Sequence, residues 1–167
     1  GIKADVFSLW INKGLALQEL NEHQEALDAF SKATTLSGNV HEAWNYKGYV
    51  FEEIGKHQEA LDAYDKAIQI KPDFVIAFNN KGLLQDTMGN HLEAIETYNK
   101  ALTIKPDLDI AWFNKACAEA LLSNKEGALS SLKKAIELNQ SFKRIARTNP
   151  DFSKIKDDPD FINVVGN

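Results

Sequence analysis

Residues 41–74 read HEAWNYKGYVFEEIGKHQEALDAYDKAIQIKPDF, and residues 75–108 read VIAFNNKGLLQDTMGNHLEAIETYNKALTIKPDL. The two stretches align without a gap at a period of 34 residues. Trp44-x-x-Lys47-Gly48 becomes Phe78-x-x-Lys81-Gly82. The step extends outward to Trp10-x-x-Lys13-Gly14 on one side and Trp112-x-x-Lys115-Ala116 on the other. The same interval joins Glu25-Ala26, Glu59-Ala60, Glu93-Ala94 and Gly127-Ala128. It also joins Phe30, Tyr64, Tyr98 and Leu132, and the Lys-Ala pairs at 32, 66, 100 and 134. Many positions held in phase over four periods mark tandem repeats, each one supersecondary unit.

Each unit carries two apolar stripes at helical spacing. In the second, Ala43, Trp44, Gly48 and Phe51 form one stripe, and Ala60, Leu61, Tyr64, Ala67 and Ile68 form the next. Gly48 and Ala60 are small, which predicts that the two helices cross closely there, because a larger side chain would push the axes beyond the usual 8–10 Å. Asn21, Gly55, Gly89 and Ser123-Asn124 supply turn residues between the stripes. Pro72 and Pro106 end the second helices. The spacing predicts four helix pairs over about 7–40, 41–74, 75–108 and 109–142, so that 1–142 is a repeat array. No single pair can bury both faces, and stability comes from stacking on neighbours.

The aromatic-x-x-x-Gly pattern, the small alanines, the second-helix aromatic and the closing proline resemble the tetratricopeptide-repeat (TPR) family over residues 7–142. The resemblance implies an all-α, right-handed superhelical solenoid of antiparallel helix pairs that binds other proteins. Departures are local. Lysine precedes the glycine position in all four units. The repeat's eleventh position is Leu17, Phe51, Gln85 and Glu119. Gly38 and Gln140 stand where the first and last repeats would carry proline.

Residues 143–167 leave this phase. Asn149-Pro150-Asp151-Phe152 and Asp158-Pro159-Asp160-Phe161 each read as an N-cap with proline at the first helical position. Two short helices are predicted, about 150–156 and 159–165. Phe152, Ile155, Phe161, Ile162 and Val165 would then cover the end of the last repeat. The segment resembles the closing segment of TPR arrays. It reads either as a solubilising cap or as a segment that docks into a groove and blocks it.

The family's first helices line a concave face. The resemblance assigns ligand contacts residue by residue to Asn12, Tyr46, Asn80 and Asn114, to Asn45, Asn79 and Phe113, and to Tyr49 and Leu83, with Glu52 and Asp86 further along. Two features follow. An amide offers a donor and an acceptor, so the asparagine series can pair with a peptide backbone whatever its sequence. It is similar to the asparagine ladder of O-linked N-acetylglucosamine transferases, with Tyr46 interrupting the series. The face is also zoned, acidic at Glu19, Glu42, Glu52, Glu53 and Asp86, then apolar at Ile76, Leu83, Ile110, Phe113 and Leu121. A basic segment followed by apolar anchors would complement it. Chaperone-binding members grip an acidic tail with basic residues, which here would fall on Ile11, Ile110 and Asn114. None is basic, so that partner is not expected.

Net charge is −5 over 167 residues. Residues 7–74 carry 6 basic and 11 acidic groups, while 75–167 carry 12 of each. Lysines spaced singly among acids do not make a phosphate-neutralising surface, so no nucleic acid is expected. No apolar run approaches the ~18 residues of a membrane span, and no membrane partner is expected. Cys117 is alone, which fits a reducing, cytoplasmic setting. The chain opens on Gly1, so it is expected to be a piece of a longer protein.

His23, His57 and His91 recur at repeat spacing. Equivalent sites in adjacent repeats are about 10 Å apart, too far to share an ion whose ligands each sit ~2 Å away. They are expected to pack where the repeat usually has an aromatic residue. Cys117 is expected to be a wall or packing thiol. Glu52-Glu53 and Asp157-Asp158 point apart as sequence neighbours. The expectation is a non-enzymatic adaptor without cofactor or metal, binding a peptide or partner protein. A self-association scaffold and the regulatory region of a larger enzyme remain alternatives.

Overall fold

The computed structural model describes residues 2–36 and 40–166, with side chains from Val6 onward. Gly1 and Gly38, singled out above, lie outside the described residues. The architecture is all-α. The first helices of the repeats are α1 (Ile2–Glu19), α3 (His41–Glu53), α5 (Val75–Thr87) and α7 (Asp109–Leu121). The second helices are α2 (His23–Leu36), α4 (His57–Ile70), α6 (His91–Ile104) and α8 (Lys125–Leu138). α9 (Phe142–Thr148), a 3-10 turn (Pro150–Phe152) and α10 (Pro159–Val165) follow. The chain divides into two compact units, Gly1–Lys81 and Gly82–Asn167.

Each helix pair is built around one close contact. A Cβ placed on Gly14 would stand 2.5 Å from the Phe30 ring, and one on Gly48 or Gly82 would stand 2.6 Å from the ring of Tyr64 or Tyr98. The glycine's partner is thus the second-helix aromatic. The fourth pair shows the same rule by exception: Ala116 replaces the glycine and Leu132 replaces the ring, and both are fully buried. The turn closing each first helix is also shared. Asn21, Gly55, Gly89 and Ser123 occupy one position of the repeat, and all have φ between 59° and 83°. That left-handed conformation costs glycine nothing and asparagine little.

A second tie links residues twelve apart across the second, third and fourth pairs. Tyr64 Oη donates to Glu52 (2.9 Å), Thr97 Oγ1 to Gln85 (2.7 Å) and Ser131 Oγ to Glu119 (2.6 Å). Burial raises the pKa of both Glu52 and Glu119, while the hydroxyl partners pull it down. In three repeats the lysine before the glycine position folds over its own repeat's aromatic: Lys13 on Trp10, Lys47 on Trp44 and Lys115 on Trp112. In the third repeat, where Phe78 replaces tryptophan, Lys81 pairs instead with Asp65 at 2.6 Å.

The C-terminal segment differs from expectation. α3, α5 and α7 begin 34 residues apart, and the next step lands on Lys143, beside the start of α9 at Phe142. The repeat phase therefore runs on for one short helix that the sequence reading missed. The helix expected at 150–156 is only the 3-10 turn. Asn149 caps it through Asp151 N–H at 2.8 Å. Asp158, preceding Pro159, is extended at ψ 131°, as a residue before proline tends to be. The helix expected at 159–165 is α10. Phe161 and Val165, four apart, face inward, which turns Ile162 outward to 40% exposure. Ile162 is therefore not a capping residue. Phe142, Ala146, Phe152, Ile155, Phe161 and Val165 share one core with Leu132 and Ile136 of α8 and with Phe113, Cys117 and Ala120 of α7.

Two predictions follow from these ties. Gly48→Ala gains about 1 kcal/mol of helix propensity but forces the Tyr64 ring aside, an overpacking cost of roughly 1–3 kcal/mol. It should lower stability in urea melts. Gly48→Ala/Tyr64→Leu, which copies the Ala116–Leu132 pairing, should lose less than the sum of the two single losses; strict additivity would contradict the contact. Glu119→Gln copies Gln85 and should melt no lower than wild type at pH 7. A carboxyl whose pKa is raised by folding stabilises fully below its unfolded pKa, and that contribution is lost as pH rises through the folded pKa. The variant's advantage should therefore shrink on acidification toward pH 4, and a widening gap would refute the assignment.

Candidate functional site

The side of α1, α3 and α5 turned away from the second helices is open in the first unit. Leu15 and Gln18 of α1, Asn45, Tyr46 and Tyr49 of α3, and Ile76 and Asn80 of α5 enclose a hollow of about 320 Å³. Their spacings of three and four keep them on one face of each helix. Beside it lies a second hollow of about 250 Å³, lined by Phe7, Ser8, Ile11, Asn12, Leu15, Glu42 and Tyr46. Leu15 and Tyr46 wall both. Tyr46 is fixed by stacking on Phe30, centroids 5.4 Å apart.

The polar groups of this face are arranged unevenly. Asn80 Nδ2 donates to Asn45 Oδ1 at 3.1 Å. Asn45 is buried and holds the Asn80 amide in place. Asn80 retains a second N–H and its carbonyl oxygen. Gln18 Oε1 is buried in the wall with no hydrogen-bond partner among the described residues. Leaving a buried acceptor unpaired costs on the order of 1–3 kcal/mol, and rotating the amide toward the hollow would offer it to a donor. Asn12 is exposed and Asn79 half-buried. Tyr49 and Ile76 stand out at 42% and 52% exposure.

The acidic zone contracts. Glu52 is tied to Tyr64, Asp86 to His91, and Glu53 stands 3.7 Å from His23. Glu42 alone of the five expected acids lines either hollow. In the second unit Leu83 is exposed and Asn114 half-buried. Phe113, expected in the groove, is 5% exposed. Its ring stacks on Phe142 at 4.5 Å and meets Phe152 edge-on at 6.0 Å. Asn149 donates to Cys117 Sγ at 3.5 Å, and Lys154 bonds the Leu121 carbonyl at 3.2 Å. The C-terminal segment thus covers the very face of α7 that the first helices α1 and α3 leave open. Sequence spacing could not show this, because the covering residues lie outside the repeat.

A further cleft of about 350 Å³ lies between α3 and α4, lined by Trp44, Phe51, Glu59, Asp62, Ala63 and Lys66. It is larger than either hollow but has no unpaired buried polar group, and Trp44 there already carries Lys47 on its ring. Cys117 is buried, and burial, with Asp151 nearby, pushes its thiol pKa well up, so it stays protonated at neutral pH. His57 is exposed rather than packed, and His91 is bonded to Asp86. No cluster of metal-ligating side chains occurs among the described residues. No helix there is long and apolar enough to cross a membrane.

Comparison with known proteins places this geometry. Models of the tetratricopeptide repeat match residues 7–40, 41–74, 75–108 and 110–142. No curated protein sequence matches the chain. A crystal structure of MamA is 26% identical, covering 83% of this chain and 81% of that one, with a TM-score of 0.74. The structure of Pseudomonas aeruginosa pilF is 17% identical over 93% of this chain and 69% of that one, TM-score 0.81. The first TPR of Spaghetti (RPAP3), bound to the HSP90 peptide SRMEEVD, is 15% identical over 70% and 93%, TM-score 0.65. The last two share the fold alone. With repeat matches running from residue 7 to 142 and the glycine–aromatic contact built into three of the four pairs, the chain belongs to the tetratricopeptide-repeat family.

Proposed function

We propose that this chain is a non-enzymatic protein-interaction module that holds an extended peptide, or an extended segment of a partner protein, across α1, α3 and the start of α5. The family's fold is an interaction scaffold. The observation that carries the finer reading is the first unit's main hollow. An apolar floor of Leu15, Tyr49 and Ile76 adjoins an Asn80 amide held by Asn45 and a Gln18 oxygen without a partner. An apolar anchor enters the floor, while Asn80 and Gln18 pair with backbone groups.

First helices about 10 Å apart and a strand rise of about 3.3 Å give a footprint of roughly six to nine residues. Asn12 and Glu42 sit at the second hollow, where a lysine or arginine of the ligand meets Glu42. The segment bound is thus basic and apolar. Spaghetti is bound to SRMEEVD, an acidic peptide; Ile11, Ile110 and Asn114 give this chain no cationic clamp for such a tail. Asn12, Tyr46, Tyr49, Asn80 and Glu42 are assigned to the ligand. Asn45 and Glu52 are assigned to support.

Removing Asn80 would orphan the buried Asn45 amide, so binding is better tested on exposed walls. With a peptide selected against the chain from a random display pool, Tyr49→Ala and Ile76→Ala should each weaken binding by about 1–3 kcal/mol with unchanged melting. Glu42→Gln should flatten the fall of affinity with added salt. Wild-type affinity in all three variants would overturn the proposal.

A further inference from the structure

The second unit carries a hollow of about 270 Å³ that the repeat pattern does not account for, lined by Lys133, Ile136, Glu137, Gln140, Lys143, Asn163 and Val164. Its floor is Ile136, buried, and Val164, half-buried. Its one carboxylate is already engaged, since Glu137 pairs with Lys134 at 3.3 Å. Lys133 and Lys143 make no ion pair among the described residues. The surrounding sequence is basic: residues 133–156 hold seven lysines and arginines against Glu137 and Asp151. An apolar floor under two uncommitted cations asks for an apolar side chain flanked by carboxylates.

The chain itself presents such a group. Leu20, in the turn between α1 and α2, is 68% exposed, the most exposed large apolar side chain among the described residues. Asn21 follows it in the left-handed conformation, φ 59°, which tightens the turn behind the leucine. Glu19, Glu22, Glu25 and Asp28 surround it in sequence and are all exposed. No lysine or arginine falls between Lys13 and Lys32. The corresponding turns lack this chemistry: Ile54 is followed by Gly55-Lys56, Met88 by Gly89-Asn90, and Leu122 by Ser123-Asn124-Lys125.

We propose that a second copy of this chain seats its Glu19–Glu22 turn in the Ile136/Val164 hollow, with Leu20 in the apolar floor and Glu19 and Glu22 against Lys133 and Lys143. Knob and socket are different surfaces, so the contact is heterologous and each bound copy still offers a free knob and a free socket. Association therefore continues beyond the dimer unless its rotation closes a ring. The peptide-binding residues of the first unit take no part, so this contact and groove binding stand or fall separately.

The test is the mass of the whole chain by light scattering over a range of concentrations. At low salt the mass should rise above the monomer with concentration, and added salt should return it toward the monomer. Lys133→Glu/Lys143→Glu and Leu20→Asp should each weaken association at least tenfold. Mixing the two variants leaves one working socket and one working knob, so the mixture should form one-to-one dimers and nothing larger. If charge reversal lowers the melting temperature, Lys133→Gln/Lys143→Gln takes its place with the same expectation. A monomer at every concentration at low salt, variants that assemble like wild type, or a mixture that stays monomeric would each overturn the proposal.

Discussion

The interaction on which the rest of this molecule depends is the contact of a first-helix glycine with a second-helix ring. In three of the four repeats no side chain fits between Gly14 and Phe30, Gly48 and Tyr64, or Gly82 and Tyr98. Ring thickness thereby fixes how near the two helices lie. Once they are that near, residues twelve apart in sequence meet, and the polar ties of Glu52 to Tyr64, Gln85 to Thr97 and Glu119 to Ser131 become possible. Tyr98 marks the limit of the scheme. Its hydroxyl is buried without a hydrogen-bond partner among the described residues, because the residue matching Glu52 is the shorter Asp86, which His91 engages.

These ties sort the first-helix residues into two sets. Glu52 and Asp86 are committed to the second helix and line neither hollow of the first unit. What stays open is set by the next element along. In the first unit, α1, α3 and the start of α5 leave two hollows with amide and tyrosine walls. In the second, α9 and the 3-10 turn lie on α7 and bury Phe113, Cys117 and Ala120. The C-terminal segment is therefore both cap and filler. Phe161 and Val165 join the core of α8, while Phe142 and Phe152 occupy the inner face of α7. Burying each large ring is worth about 1.5–3 kcal/mol, which makes the cover a permanent part of the fold rather than a latch.

The repeat period made the helix pairs, the left-handed turns and the glycine positions legible, because each is a local demand repeated in phase. The Asx-Pro caps at Asn149 and Asp158, which lie outside the phase, were legible as local capping signals. The site was legible only in outline. Asn45 and Asn80 were both marked, yet their bond joins residues 35 apart, one off the repeat, and a list of equivalent positions does not display it. Phe113 was misassigned because the residues covering it come from outside the array. Helix α9 escaped because its seven residues carry the phase of the array without its aromatic-glycine signature. That the Gln18 oxygen is buried without a partner among the described residues depends on side-chain packing, which no spacing encodes.

The central claim is that ligands bind on the first unit's open face. It is tested most directly by mapping backbone and side-chain amide NMR shifts during titration with a basic, apolar peptide selected against the chain. The account predicts that the largest changes fall on Leu15, Gln18, Asn45, Tyr46, Tyr49, Ile76 and Asn80, including the side-chain amides of Gln18 and Asn80. Changes concentrated instead on the Trp44–Phe51 cleft, or on α7 and the segment that covers it, would contradict it.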